Sequence, residues 1–301
     1  MWFKNLTIFR LDDQELPADE ALVEAMGSRR RPDCGPLEAF SVGFVSPFGA
    51  NHSGLLHSVA GYDLIALGQE KRVLPPAVVQ EVVADKARAI EEESGRPPGK
   101  RRRRELAEAA MTELLPKAFI VKSTTLAYVD RAQRLLVVDS TSDKVAEAVA
   151  TEMREALGSF PAIPLAADSD PSVLLTAWLA GAEPLPADFE LGEECELRDP
   201  GDTHTVISAR GQDLTAEEIR EHLKSGKQVS RLGLIFDQRI GLVLDAQLKL
   251  RKLRFLDLIQ EKLGEPDGRG AEAELDARFA LMTHELARLF ARLDTLFGFA
   301  E

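Results

Sequence analysis

Pro75-Pro76 and the tetrapeptide Arg96-Pro97-Pro98-Gly99 constrain this chain more than any other feature, because they start and break two successive helices inside a run of strands. Proline is tolerated in a first helical turn, where its missing N–H has no helical partner to lose. Behind Pro75-Pro76, Val78, Val79, Val82, Val83, Ala87 and Ile90 make a helical stripe that lasts to Ser94-Gly95. A second helix is expected from about Arg101 to Leu115, stopped by Pro116. Two helices joined by a short Pro/Gly turn form an αα-hairpin. Its first arm, ~19 residues at ~1.5 Å each, reaches roughly 28 Å.

Strands flank this hairpin. The alternation of Trp2 to Leu11 reads as a strand, Ala18 to Met26 as a short helix, and Ala39 to Phe44 and Tyr62 to Leu67 as further strands. Ala118 to Val121, Thr125 to Val129 and Leu135 to Val138 continue the pattern, the last two joined by a turn at Arg131 to Arg134. Lys144 to Leu157 is amphipathic, and Phe160 to Leu165 is strand-like. After the loop 167–171, strands are expected near Phe189 to Leu197, His204 to Ala209, Gln228 to Phe236 and Ile240 to Leu244. Thr215 with Glu218 three residues on fits a capping box. The final helix carries Leu275, Phe279, Met282, Leu286, Leu289, Leu293 and Leu296 at alternating spacings of four and three, which suits packing on the chain's own sheet or a subunit contact. The expected class is α+β: a curved, multi-part subunit of mixed or antiparallel sheets with an inserted helical arm. Its parts are a central body (1–74 and 118–167), the arm (75–117) and a C-terminal base (168–301).

No apolar run approaches the ~20 residues that cross a bilayer, and the opening lacks signal-peptide features, so no membrane partner and a cytoplasmic location are expected. Cys34 and Cys195, isolated from each other, suit half-buried thiols in a reducing compartment. No phosphate-loop, GxSxG, HExxH or GxGxxG pattern occurs. The five histidines lack ligand spacing, His52-Ser53 and His57-Ser58 read as turn chemistry, and runs such as Glu91-Glu92-Glu93 as solvated faces. Hence no catalytic residue, metal or cofactor is expected, and the chain reads as a non-enzyme.

The formal net charge of −13 argues against a nucleic-acid partner, but binding depends on where charges sit. Arg96, Lys100, Arg101, Arg102, Arg103 and Arg104 cluster without an acid. Lys224, Lys227, Arg231, Arg239, Lys249, Arg251, Lys252 and Arg254 face only Asp237 and Asp245 in their stretch, whereas Glu183 to Asp199 is acidic apart from Arg198. Basic tracts that neutralise phosphates bind without sequence preference. They also suit anionic lipid or an acidic protein, and Arg101 to Arg104 could simply pair with Glu105 and Glu108. No aromatics interleave them, which favours duplex backbone over single strands.

WFKNLTIFRL at the start, Cys34-Gly35-Pro36, VLPP before the arm, LLPKAF (Leu114 to Phe119), LGSFPAIPL (Leu157 to Leu165), QDLTAEEI (Gln212 to Ile219) and LMTHEL (Leu281 to Leu286) together resemble the RdgC family of bacterial recombination-associated proteins, in order and over essentially the whole chain. The resemblance implies a ring-shaped homodimer that encircles double-stranded DNA, restrains the RecA recombinase and is linked to replication, recombination and the nucleoid. It places a hydrophobic dimer contact at Phe119, which by itself would read as an ordinary core residue at a strand start. It places a DNA-facing polar residue at Gln212. Gly211 stands where a relative is basic, which shifts the expected DNA contact to Lys227, Arg231, Lys249, Arg251, Lys252 and Arg254, with Arg101, Arg102, Arg103, Arg104 and Lys117 on the arm. Acidic segments such as 183–199 are expected to face outward. The competing expectation is a protein that contacts RecA or another acidic partner directly, without encircling DNA.

Overall fold

The computed structural model describes residues 2–12, 16–202, 205–256 and 271–299. The described strands form two antiparallel sheets, as the α+β reading requires. The larger contains β1 (Thr7–Leu11), β2 (Phe40–Val45), β3 (Leu56–Val59), β4 (Tyr62–Val73), β5 (Phe119–Asp130), β6 (Leu135–Val138) and β7 (Ala162–Pro164). Their order is β2-β4-β5-β6-β1-β7, with β3 pairing the first residues of β4.

Side-chain alternation along these strands separates two cores. Ile65, Leu67, Ala127, Val129, Leu136 and Val138 face one side, beneath α1 (Asp19–Ser28) and α4 (Asp143–Leu157). Ile8, Leu64, Tyr128 and Val137 face the other. There they share a core with the last helix and with the second sheet, made of β8 (Phe189–Arg198), β9 (Val206–Arg210), β10 (Gln228–Phe236), β11 (Ile240–Asp245) and β12 (Leu250–Phe255) in the order β12-β11-β10-β8-β9. Leu6 and Leu250 exchange backbone hydrogen bonds of 2.7 and 3.1 Å, which ties the chain's first residues to β12.

The stretch expected as two strands between residues 118 and 129 is one twelve-residue strand, β5. It pairs along its full length with β4, which itself runs six residues past Leu67. The distal halves of both strands leave the core, and they carry the helices α2 (Pro76–Ser94) and α3 (Lys100–Leu114) at their end. Lys86 reaches Glu113 at 2.7 Å, which sets α2 and α3 antiparallel. None of the α2 side chains is buried, so the valine stripe covers α3 only in part.

Three further expectations change. Pro171 begins a helix, α5 (Pro171–Ala180), where Asp170 accepts a hydrogen bond from Ser172 N at 2.9 Å. Thr215 is not a cap: α6 (Glu217–Lys224) starts two residues later, and the Thr215 hydroxyl donates to Asp213 instead. Cys34 and Cys195 are buried rather than half-buried, and burial pushes the Cys195 thiol up to about 11.

The last helix, α7 (Ala271–Phe297), buries Phe279, Met282, Leu286, Leu289 and Leu293 in the shared core. Its stripe is therefore satisfied within the chain. Glu285, buried on the same helix, pairs with Arg239 and Arg288. Leu286 is fully buried, so Leu286→Ala is expected to lower stability by ~2–5 kcal/mol. A urea midpoint within error of the wild type would disprove that placement.

Glu70, on the outer half of β4, has a side chain only 3% exposed. Lys122, the Cys34 N–H and Arg31 hold its carboxyl down to about 2. A depressed carboxylate adds stability above its unfolded value and loses it as pH falls through the folded one. Acid unfolding should therefore steepen between about pH 4.5 and 2, and Glu70→Gln should remove that component. Superimposable acid curves would show that Glu70 is not stabilising as an anion.

Candidate nucleic-acid interface

The second sheet buries one face and leaves the other open. Leu250, Leu253 and Phe255 of β12 point into the core, with Arg251 and Lys252 both falling between the first two. Strict alternation would send Arg251 and Lys252 to opposite faces. An irregularity in the β11–β12 register and a φ of 51° at Lys252 absorb the extra residue. Arg251 and Lys252 consequently line the same open surface.

That surface holds a groove of about 750 Å³ over β8, β10, β11 and β12, bordered by Lys4, Lys252 and Arg254 and by Glu193 and Glu194. A smaller hollow adjoins it, lined by Arg210, Arg231, Arg251, Lys252 and Glu196. Together the walls bring six cations (Lys4, Arg210, Arg231, Arg251, Lys252, Arg254) against three carboxylates (Glu193, Glu194, Glu196), in a chain of net charge −13.

The separation of charge along the sequence does not survive folding. The acidic strand β8 lies beside β10, whose one charged residue is Arg231, so part of segment 183–199 shares the basic face instead of turning away from it. Arg231 pairs with Glu196 at 2.8 Å, and Lys252 pairs with Glu194. Burial pushes the Glu196 carboxyl up, yet Ser230, Arg198 and Arg231 hold it below the ordinary carboxylate range. Arg251 is anchored on buried Asp245 at 3.0 Å and donates to the Thr141 hydroxyl at 2.9 Å. Among the described residues Lys4, Arg210 and Arg254 make no ion pair.

The remaining expected site residues sit elsewhere. Lys249 turns from the groove to Asp143 on α4. Lys227 is half-buried after α6 and donates to the Ser225 hydroxyl. Gln212 is exposed, next to Gly211, which lines the groove with φ of 64°. On α3, Arg101 and Arg102 pair with Glu105 and Arg104 with Glu108, while Arg103 donates to the Pro98 carbonyl. Lys117 is exposed in the turn between α3 and β5. Lys4 and Arg210 were not singled out by the sequence, since neither lies in a basic run.

Phe119 is no core residue: it is 86% exposed. Register places it opposite Val73, and places Val121, Lys71 and Phe40 side by side on the same face two residues away. Phe40 is 60% exposed and Val121 54%, so an apolar patch lies open at the root of the arm. Among the described residues no strand pairs with the outer edge of β5 over 119–125.

Fold and surface together define an antiparallel α+β protein with a helical hairpin inserted between two long strands and an open, cation-enriched sheet face. The chain belongs to the RdgC family, whose model, described as "Putative exonuclease, RdgC", matches residues 1–300. The "Recombination-associated protein RdgC" of Xanthomonas campestris pv. campestris (strain B100) is 44% identical over 299 residues, covering 98% of this chain and 97% of that one. The protein of the same name from Xylella fastidiosa (strain 9a5c) is likewise 44% identical over 299 residues, and that from Xanthomonas oryzae pv. oryzae (strain MAFF 311018) 43% over 300. The family description names an exonuclease, whereas these relatives are named for recombination. Among the described residues no three His, Cys, Asp or Glu side chains gather as a metal-holding group, and no helix is long and apolar enough to cross a membrane.

Proposed function

We propose that two copies of this chain close into a ring around duplex DNA, bind its backbone without sequence preference, and restrain RecA by occupying the DNA. The observation that carries this reading is the excess of six cations over three carboxylates on a concave sheet face of an otherwise acidic chain. Phosphate attraction needs a local cationic surface, not a basic total. The open apolar patch at Phe119, beside the unpaired edge of β5, supports closure of the ring at that point. In this reading 75–117 is the arm, 1–74 with 118–167 the central part and 168–301 the base, and the protein works in the cytoplasm on the nucleoid, by contact and not by catalysis.

Duplex affinity measured against salt tests the proposal. A steep negative log–log slope is expected, and a flat one excludes backbone binding. Linear duplex should load more readily than a covalently closed circle, whereas equal loading favours an open surface over a ring. Loss of RecA restraint together with DNA binding supports competition for DNA. Restraint that outlives DNA binding supports direct contact with RecA. Incubation of labelled duplex with the protein and Mg²⁺ should leave its ends intact, and shortening would require an exonuclease.

A further inference from the structure

A second cavity, of about 310 Å³, opens on the larger sheet, lined in part by Arg30, Arg31, Ser46, His52, Lys122 and Thr124. Among the described residues no carboxylate lines its wall. We infer that this cavity is a phosphate-binding site.

The construction starts from the backbone. Residues 29–31 run beside β2, with Phe44 N donating to Arg29 O at 2.9 Å and Arg31 N donating to Phe44 O at 3.0 Å. Gly43 and Gly68 pair across β2 and β4 directly under this segment. A Cβ on Gly68 would stand 2.5 Å from Val45 Cγ1 and 3.1 Å from Arg31 Cδ, and one on Gly43 would stand 2.6 Å from Arg31 N. Only glycine therefore lets the Arg31 side chain lie flat on the sheet.

Among the described residues Glu70 supplies the counter-charge in contact with Arg31 and Lys122. Its Oε1 takes both Arg31 at 2.5 Å and Lys122 at 2.7 Å. A single carboxylate neutralises one of the two, and Arg30, whose Nη2 donates to the Ser53 carbonyl at 2.9 Å, adds a further charge. Arg30, Arg31 and Lys122 against Glu70 leave a formal excess of two positive charges, with the exposed His52 ring and Thr124 hydroxyl beside them. Lys122, 69% exposed, can swing from Glu70 to an incoming anion. Planar arginine donors, a mobile lysine and a hydroxyl match the oxygens of a phosphate. The source of that phosphate can be a nucleic-acid backbone or a free phosphate.

Inorganic phosphate titrated into the intact protein, read by the His52 ring proton resonances and by heat, tests the site without DNA. Saturable shifts at His52 are expected. The double variant Arg30→Gln/Lys122→Gln should weaken binding by about tenfold or more, since charged hydrogen bonds are removed. Because Lys122 also holds Glu70, Arg30→Gln alone and Thr124→Val, both exposed and outside that pair, provide variants whose melting curves should match the wild type. In the same double variant, a duplex salt slope lower by about 1–2 units identifies the ligand as backbone phosphate. An unchanged slope with weakened inorganic phosphate binding upholds the site for free phosphate. No saturable shift at His52, or one indifferent to both substitutions, overturns the inference.

Discussion

Replacing Lys4, Arg210, Lys252 and Arg254 together by glutamine is expected to lower duplex affinity about a hundredfold or more at low salt. Four lost phosphate contacts should also flatten the log–log salt slope by about 3 to 4 units. All four side chains are exposed, and only Lys252 among them holds an ion pair in the described structure, so thermal stability should stay near that of the wild type. Fluorescence anisotropy across a salt series gives both quantities. The matched control neutralises Arg101, Arg102 and Arg104, whose charges are already shared with Glu105 and Glu108, and should change the slope less. Should the control lower affinity more than the groove set, the DNA face belongs to the arm and not to the base sheet. Arg231 and Arg251 are unsuitable for this test, because each also holds a carboxylate, and Asp245 would be left buried without its guanidinium.

Phe119→Asp is expected to convert the proposed dimer into a monomer, halving the mass seen by light scattering at micromolar protein. A buried aromatic anchor at the centre of a contact can carry several kcal/mol, and a carboxylate there must also be desolvated. Within one chain the same substitution changes little, because the ring is 86% exposed. Far-ultraviolet circular dichroism and the thermal midpoint should therefore hold. A dimer that survives would move the contact away from this patch.

The helical hairpin was legible because its signals are local: prolines where a missing N–H is harmless, and a Pro-Pro-Gly break between two apolar stripes. The long ribbon that carries it was not. The distal half of β5, Phe119 to Thr124, is exposed, so it lacks the buried alternation that would have joined it to Thr125–Asp130. The surface told a similar story. Basic runs in sequence marked Arg251, Lys252 and Arg254 correctly as neighbours, yet the strand irregularity at Lys252, which keeps Arg251 and Lys252 on one face, is a tertiary event. Lys249, in the same run, turns to Asp143 because that helix lies beside it. Charge pairing across strands is equally invisible in one dimension: Glu196 of β8 meets Arg231 of β10, and their adjacency depends on topology alone. Phe119 shows the limit from the other side. Resemblance marked it as a contact residue, while its position at the start of a strand suggested a core.

The ribbon that lifts the arm is a cantilever. From the pair Gly68–Thr124 to the pair Val73–Phe119 it extends five residue steps, roughly 16 Å at ~3.3 Å per residue. Over that length a tilt of about 10° at the root displaces the free end by about 3 Å. The root coincides with two glycines facing each other across β2 and β4, where no side chains interlock to resist bending. Arg31, laid over those glycines and pinned by Glu70, braces the joint from one side. The stiffness of the arm's mounting thus rests on β2, which accompanies β4 out to Lys71, and on the Arg31–Glu70 pair laid over one bare spot in the sheet.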